Sequence, residues 1–291
     1  MDMKEVIQLA NQVTLVVMVA SIGLRAHWRD VVAAGRDLGL VLRGVVAVNI
    51  VVPAVAIAMC MILPIPQPIK IGMGVIAVSP LAPLATGKMV RSGLDASRVV
   101  GLFVSLVLLS VVIVPVTVAS LSDLFPVDAT ISIAAVSRLV AASVLAPLAV
   151  GVAIGTLAPD FARRVAGPLM IGGYIVLGLL FVPIMISQAS GLVDLFGNGT
   201  VVAMAVTATA GLAAGHLLGG PDPSTRTALA LAAATRHPGI AGLIAATNFS
   251  SEPRVMLAVL LFVLTSVIVS AIYQQWVKRH AAGDARATAS A

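Results

Sequence analysis

The sequence predicts an all-α polytopic membrane protein of about nine transmembrane helices. Three observations carry that expectation. Of 291 residues, 59% are hydrophobic and only 10% charged, with a mean hydropathy of +1.09, whereas a soluble domain carries about 25% charge. Apolar stretches approaching or exceeding the length of about 20 residues that spans a bilayer recur along the whole chain. Two of those stretches are broken at mid-span by prolines and basic residues. Aromatics are scarce and Ala, Val, Leu and Gly fill the spans, so helix backbones can approach closely in a compact bundle.

Nine segments run in order, at roughly 6–24, 39–63, 69–91, 97–121, 132–156, 167–187, 200–219, 227–249 and 255–275. The first lacks a basic leader and an obvious cleavage site, so it reads as a mature span and not a signal peptide. The second holds Asn49, expected to bond a neighbouring helix, and Cys60, the single cysteine, expected as a small apolar filler remote from any metal-ligand pattern. The third and eighth are the broken ones. The fifth reads as a linking helix between repeat one (about 6–121) and repeat two (about 167–275). His216 in the seventh is expected to make a bundle contact. The ninth ends at Tyr273 and Trp276, which suit an interfacial belt. Residues 1–275 form one transmembrane domain, and the small, polar residues 276–291 are expected as a frayed cytoplasmic tail.

The loops set the orientation. Arg25, Arg29, Arg36 and Arg43 surround the first, Arg91 and Arg98 the third, Arg163 and Arg164 the fifth, and Lys278, Arg279 and Arg286 the tail. The intervening loops are neutral or acidic, with Asp123, Asp128 and Asp194. Basic loops face the cytoplasm. The N-terminus is therefore expected outside and the C-terminus inside, in a membrane of the bacterial inner (plasma) type. The net charge of +6 arises from the same bias, so nucleic acid is not an expected partner. The partners expected are the lipid bilayer and a small solute; oligomeric state is not legible.

In the third segment, KIGMGVIAVSPLAPLATGKMVRSG, Pro80 and Pro83 lie mid-span, with Thr86 and Lys88 just beyond. Each proline lacks a donor and disfavours helix just before it. Unwinding is expected between Ser79 and Thr86, with Pro83 in the first turn of a second half-helix. The eighth segment, TRTALALAAATRHPGIAGLIAATNF, repeats the plan in the opposite direction. It breaks at Thr235, Arg236, His237, Pro238 and Gly239, and Pro238 suits the first turn of its own second half-helix. An arginine at bilayer depth costs at least about 2.5–3.5 kcal/mol and marks a functional site by default. Non-helical backbone at that depth survives only inside protein or beside a wet cavity. Paired interruptions in opposite halves indicate the binding site of an inverted-repeat secondary transporter.

Charge indicates the sign of the solute. Half-helix N-termini at mid-membrane favour anions. Arg236 and Lys88 add positive charge, and no Asp or Glu lies in either broken segment. The candidate substrate-binding residues are Arg236, His237, Thr235, Thr86 and Lys88. Pro80, Pro83, Pro238 and Gly239 are the candidate helix breakers. No metal site and no cofactor are expected.

These two segments resemble the bile acid:sodium symporter family of inverted-repeat transporters, VSPLAPLATGKMVRSG as its first crossover and TRTALALAAATRHPGIAG as its second. The resemblance implies a panel of helices moving against a core that contains two crossed, broken helices. It does not extend to the family's sodium ligands. Leu231 or Ala232 falls near the glutamate position, Arg236-His237 near the Gln-Asn pair, and Ala85-Thr86 near the first crossover's Ser-Asn. A sodium site without its carboxylate and beside a guanidinium is electrostatically poor. The expected function is transport of a small organic anion by alternating access without the usual two-sodium coupling. The alternatives are sodium- or proton-coupled symport of bile-acid-like or other carboxylates, and an auxin-efflux-type carrier; a membrane sensor ranks last. No HExxH, GxSxG or phosphate loop suggests an enzyme.

Overall fold

The computed structural model describes residues 3–26, 29, 32, 37–124, 138, 141–187, 189–193, 195, 198–249 and 251–289. Among them every regular element is helical, and the β pairing present is one isolated bridge, Leu81 with Arg236. Among the described residues, four helices are long and apolar enough to cross a membrane: Leu38–Ile62, Pro159–Ser187, Thr200–Leu218 and Pro253–His280. This is an all-α membrane protein.

The elements are α1 (Met3–Arg25), α2 (Leu38–Ile62), α3 (Gln67–Val78), α4 (Pro83–Arg91), α5 (Ala96–Leu124), α6 (Ala141–Leu157), α7 (Pro159–Ser187), α8 (Ala189–Val193), α9 (Thr200–Leu218), α10 (Pro223–Ala234), α11 (Pro238–Asn248) and α12 (Pro253–Ala289). Two contain π-helical turns, Val46–Val51 in α2 and Ala141–Leu145 in α6, each just ahead of a proline, Pro53 and Pro147. A proline crowds the carbonyl four residues earlier and cannot donate, and a widened turn relieves both problems. Those carbonyls belong to Asn49 and Ser143, inside the π turns.

The helices pack in two sets. α1 lies along α6 and α7, while α9 lies along α10, α12 and α2, and α12 along α3. Small residues bring the backbones together. A Cβ on Gly23 of α1 would lie 2.5 Å from the Leu148 carbonyl oxygen of α6. Gly215 of α9 faces the α10 backbone, where a Cβ would lie 2.5 Å from the Ala230 Cα and amide nitrogen.

Three expectations change. The sixth span starts at Pro159, not near 167. Pro159 opens the helix and Asp160 favours its first turn, so Arg163 and Arg164 ride on α7 and not in a loop. The tail does not fray at 276. Helix α12 runs on to Ala289 through Lys, Arg and Ala, all good helix formers. Asn49 is buried in the π turn, and its amide nitrogen has no hydrogen-bond partner among the described residues. The expected start of the fifth span near 132, together with Arg36, Asp128 and Asp194 of the loops, lies outside the described residues.

Helix α10 is capped by Asp222, whose carboxylate accepts from the Thr225 amide at 2.8 Å and from the Thr225 hydroxyl. Those two bonds hold its pKa below the ordinary carboxylate value. A depressed folded pKa stabilises above the unfolded pKa and is lost as pH falls through the folded one. Asp222→Ala is therefore expected to cost about 1 kcal/mol at neutral pH. The difference from wild type should shrink as pH falls through the lowered pKa, which thermal melts at stepped pH will read.

Candidate functional site

Helix α3 stops at Val78 and α4 begins at Pro83; α10 stops at Ala234 and α11 begins at Pro238. The residues before the prolines are extended, with Ser79 at φ −60, ψ 147, Ala82 at φ −75, ψ 145 and His237 at φ −84, ψ 96. That is the conformation a succeeding proline imposes. The two linkers cross antiparallel and satisfy each other. The Ala82 amide donates to the Thr235 carbonyl at 3.3 Å, and the His237 amide donates to the Pro80 carbonyl at 3.0 Å. The His237 amide also reaches the Ser79 hydroxyl at 3.2 Å, and Ser266 of α12 donates to the Ala234 carbonyl at 2.6 Å. Backbone groups freed inside a membrane need such partners.

Arg236 leaves this crossing for the interior, where it is 3% exposed. One terminal nitrogen donates to the Ser79 carbonyl at 3.1 Å, and the other donates to the Val48 carbonyl. The π register explains why Val48 is available. It pairs a carbonyl with the amide five residues on, and for Val48 that residue is Pro53. The guanidinium therefore ties the second break to the first and to α2. Among the described residues no carboxylate forms an ion pair with it.

Beside the crossing lies a cavity of about 60 Å³, lined by Lys88, Thr235, Arg236 and His237 and walled by apolar and aromatic groups, among them Met18, Tyr174 and Phe262. It has room for about four waters. Half-buried Lys88 donates to the Thr235 hydroxyl at 3.3 Å, while that hydroxyl donates to the Leu231 carbonyl at 2.7 Å. His237 is 3% exposed and both ring nitrogens are without a partner among the described residues. An unpaired polar group in such a place is costly and calls for an explanation.

No family model and no curated protein matches the chain.

The geometry separates the sequence candidates. Lys88, Thr235, Arg236 and His237 converge on the cavity. Thr86 does not line it; its hydroxyl donates to the Pro83 carbonyl at 2.8 Å, back along its own helix. Pro80 lends its carbonyl to the crossing, and Pro83 and Pro238 head the second half-helices. Gly239 meets α1, where the Asn11 amide donates to its carbonyl at 3.3 Å and a Cβ would lie 2.5 Å from Leu15. Sequence reasoning missed Asn11, Val48 and Ser79. Asn11 is polar in an apolar span and was findable. Val48 acts through its carbonyl, which no side chain advertises.

Chemically, the site offers positive charge with no counter-carboxylate among its lining residues. Arg236 gives both terminal nitrogens to backbone oxygens, while its Nε has no partner among the described residues. Lys88, the His237 ring and the unpaired Arg236 Nε carry polar atoms left to bond something in the cavity.

Proposed function

We propose that the chain is a nine-span secondary transporter that moves a small organic anion by alternating access. In this reading α1, α6 and α7 belong to a panel. The crossed pairs α3/α4 and α10/α11, with α2, α5, α9 and α12, form a core of inverted repeats. The observation that carries it is the pairing of two interrupted helices across a cavity bearing Lys88 and an unpartnered imidazole. The N-termini of α4 and α11 meet there and add positive dipole ends.

Sodium is not part of this reading. Backbone oxygens are natural ligands for hard cations, and here the pair from Ser79 and Val48 is bonded by Arg236. The guanidinium acts as a built-in cation. A second reading, proton-coupled symport, is favoured by one observation: the His237 ring lines the cavity with both nitrogens unpartnered among the described residues.

Uptake into proteoliposomes of a panel of carboxylates and sulfonates, with sodium and proton gradients set separately, tests both. We expect saturable uptake of at least one small anion in sodium-free buffer. Strict dependence on sodium would refute the built-in cation, and dependence on an inward proton gradient would select the second reading.

A further inference from the structure

A second site lies away from the crossing, in an open groove of about 580 Å³ between α9 and α12. Its walls are apolar, with Leu212 and Ala213 on one side and Val269 and Ile272 on the other. The span from Thr209 to Leu217 makes it about 12 Å long at 1.5 Å per residue, and it runs along the helix axes. One end is closed by aromatic and imidazole rings. His216 Nδ1 bonds the Tyr273 hydroxyl at 2.8 Å across the two helices, and Trp276 meets the His216 ring edge-on at 5.6 Å. His280 lies against Trp276 with ring centroids 4.6 Å apart and the planes tilted by 47°.

The end bearing the rings is cationic. Val269, Ile272, Tyr273 and Trp276 form one face of α12, and the same helical spacing carries that face on to Arg279 and His280. Lys278 and Arg279 are exposed, and neither forms an ion pair among the described residues. Apolar walls along the helices, then amphipathic rings, then exposed cations reproduce the order of chemistry along a phospholipid. Tyr and Trp rings sit at the headgroup level, and basic clusters beside a span attract anionic lipid.

We infer that the α9–α12 groove holds one anionic phospholipid, an acyl chain against Leu212, Ala213, Val269 and Ile272 and its headgroup against Arg279. The inference stands on the membrane fold alone and is independent of the transport reading.

The test uses the full chain in mixed micelles with phosphatidylglycerol or phosphatidylcholine, with retained lipid counted by native mass spectrometry. Phosphatidylglycerol should be retained over phosphatidylcholine; Arg279→Gln should weaken that preference by about fivefold, and Lys278→Gln, on the opposite face of α12, should weaken it less. Ala213→Trp fills the groove while leaving every charge, and it should abolish retention of both lipids. An unchanged elution profile and melting curve will show that this variant is folded. No headgroup preference overturns the inference. A preference that survives Ala213→Trp also overturns it, because the cations would then be acting without the groove. So does a dimer that Ala213→Trp dissociates, since the occupant would be a second copy.

Discussion

Arg236→Ala is expected to lower stability by about 3 kcal/mol and to abolish transport. The variant removes both donors to the Ser79 and Val48 carbonyls. Each carbonyl is then left without its donor, at a cost of about 1–3 kcal/mol. Deleting the charge recovers some desolvation energy, but two orphaned acceptors and the vacated volume outweigh it. Arg236→Lys should sit between wild type and alanine, because one ammonium lacks the planar fork that reaches two acceptors on different helices. Thermal unfolding in detergent will rank the three proteins. A melting curve for Arg236→Ala that overlays wild type contradicts the tether.

Gly215→Leu is expected to be nearly as damaging, though it lies outside the cavity and carries no chemistry. At Gly215 even a Cβ meets the Ala230 backbone at 2.5 Å, and backbone cannot step aside as a flexible side chain would. Overpacking of this kind costs about 1–3 kcal/mol, and a leucine adds three more carbons. Helix α10 would have to move off α9, taking with it Thr235 and Arg236 at its end. The expected result is a loss of about 3 kcal/mol, with uptake lost even in the protein that remains folded. Gly215→Ala should show a smaller loss of the same kind. Full activity in Gly215→Leu would mean that α10 need not lie on α9.

Much of the fold could be read in the sequence because its signals are local. Proline dictates the conformation of the residue before it, so Pro80, Pro83 and Pro238 mark where helices stop and restart. Apolar length marks the spans. The convergence of Lys88, Thr235 and His237 is legible from their positions at the breaks. Other features depend on partners far along the chain. The role of Arg236 as a tether requires Val48, 188 positions away, and a carbonyl freed by a π turn. Thr86 looks equivalent to Thr235 in the sequence because both are hydroxyls at a break. Both bond their own preceding turn; what sets Thr235 apart is that it also accepts from Lys88 and lines the cavity. In α12 helix propensity outlasts the apolar pattern, so hydropathy alone ends the helix too early.

The most direct test of the anion site is Lys88→Gln assayed in sodium-free proteoliposomes with the best carboxylate of the panel. The substitution keeps most of the side chain's length and removes its charge, while leaving Arg236 bonded to Ser79 and Val48. A charge-assisted bond is worth about 1.5–3 kcal/mol, so apparent affinity should fall on the order of tenfold to a hundredfold with the melting temperature unchanged. Wild-type affinity and rate in Lys88→Gln would contradict an anion site built on this lysine.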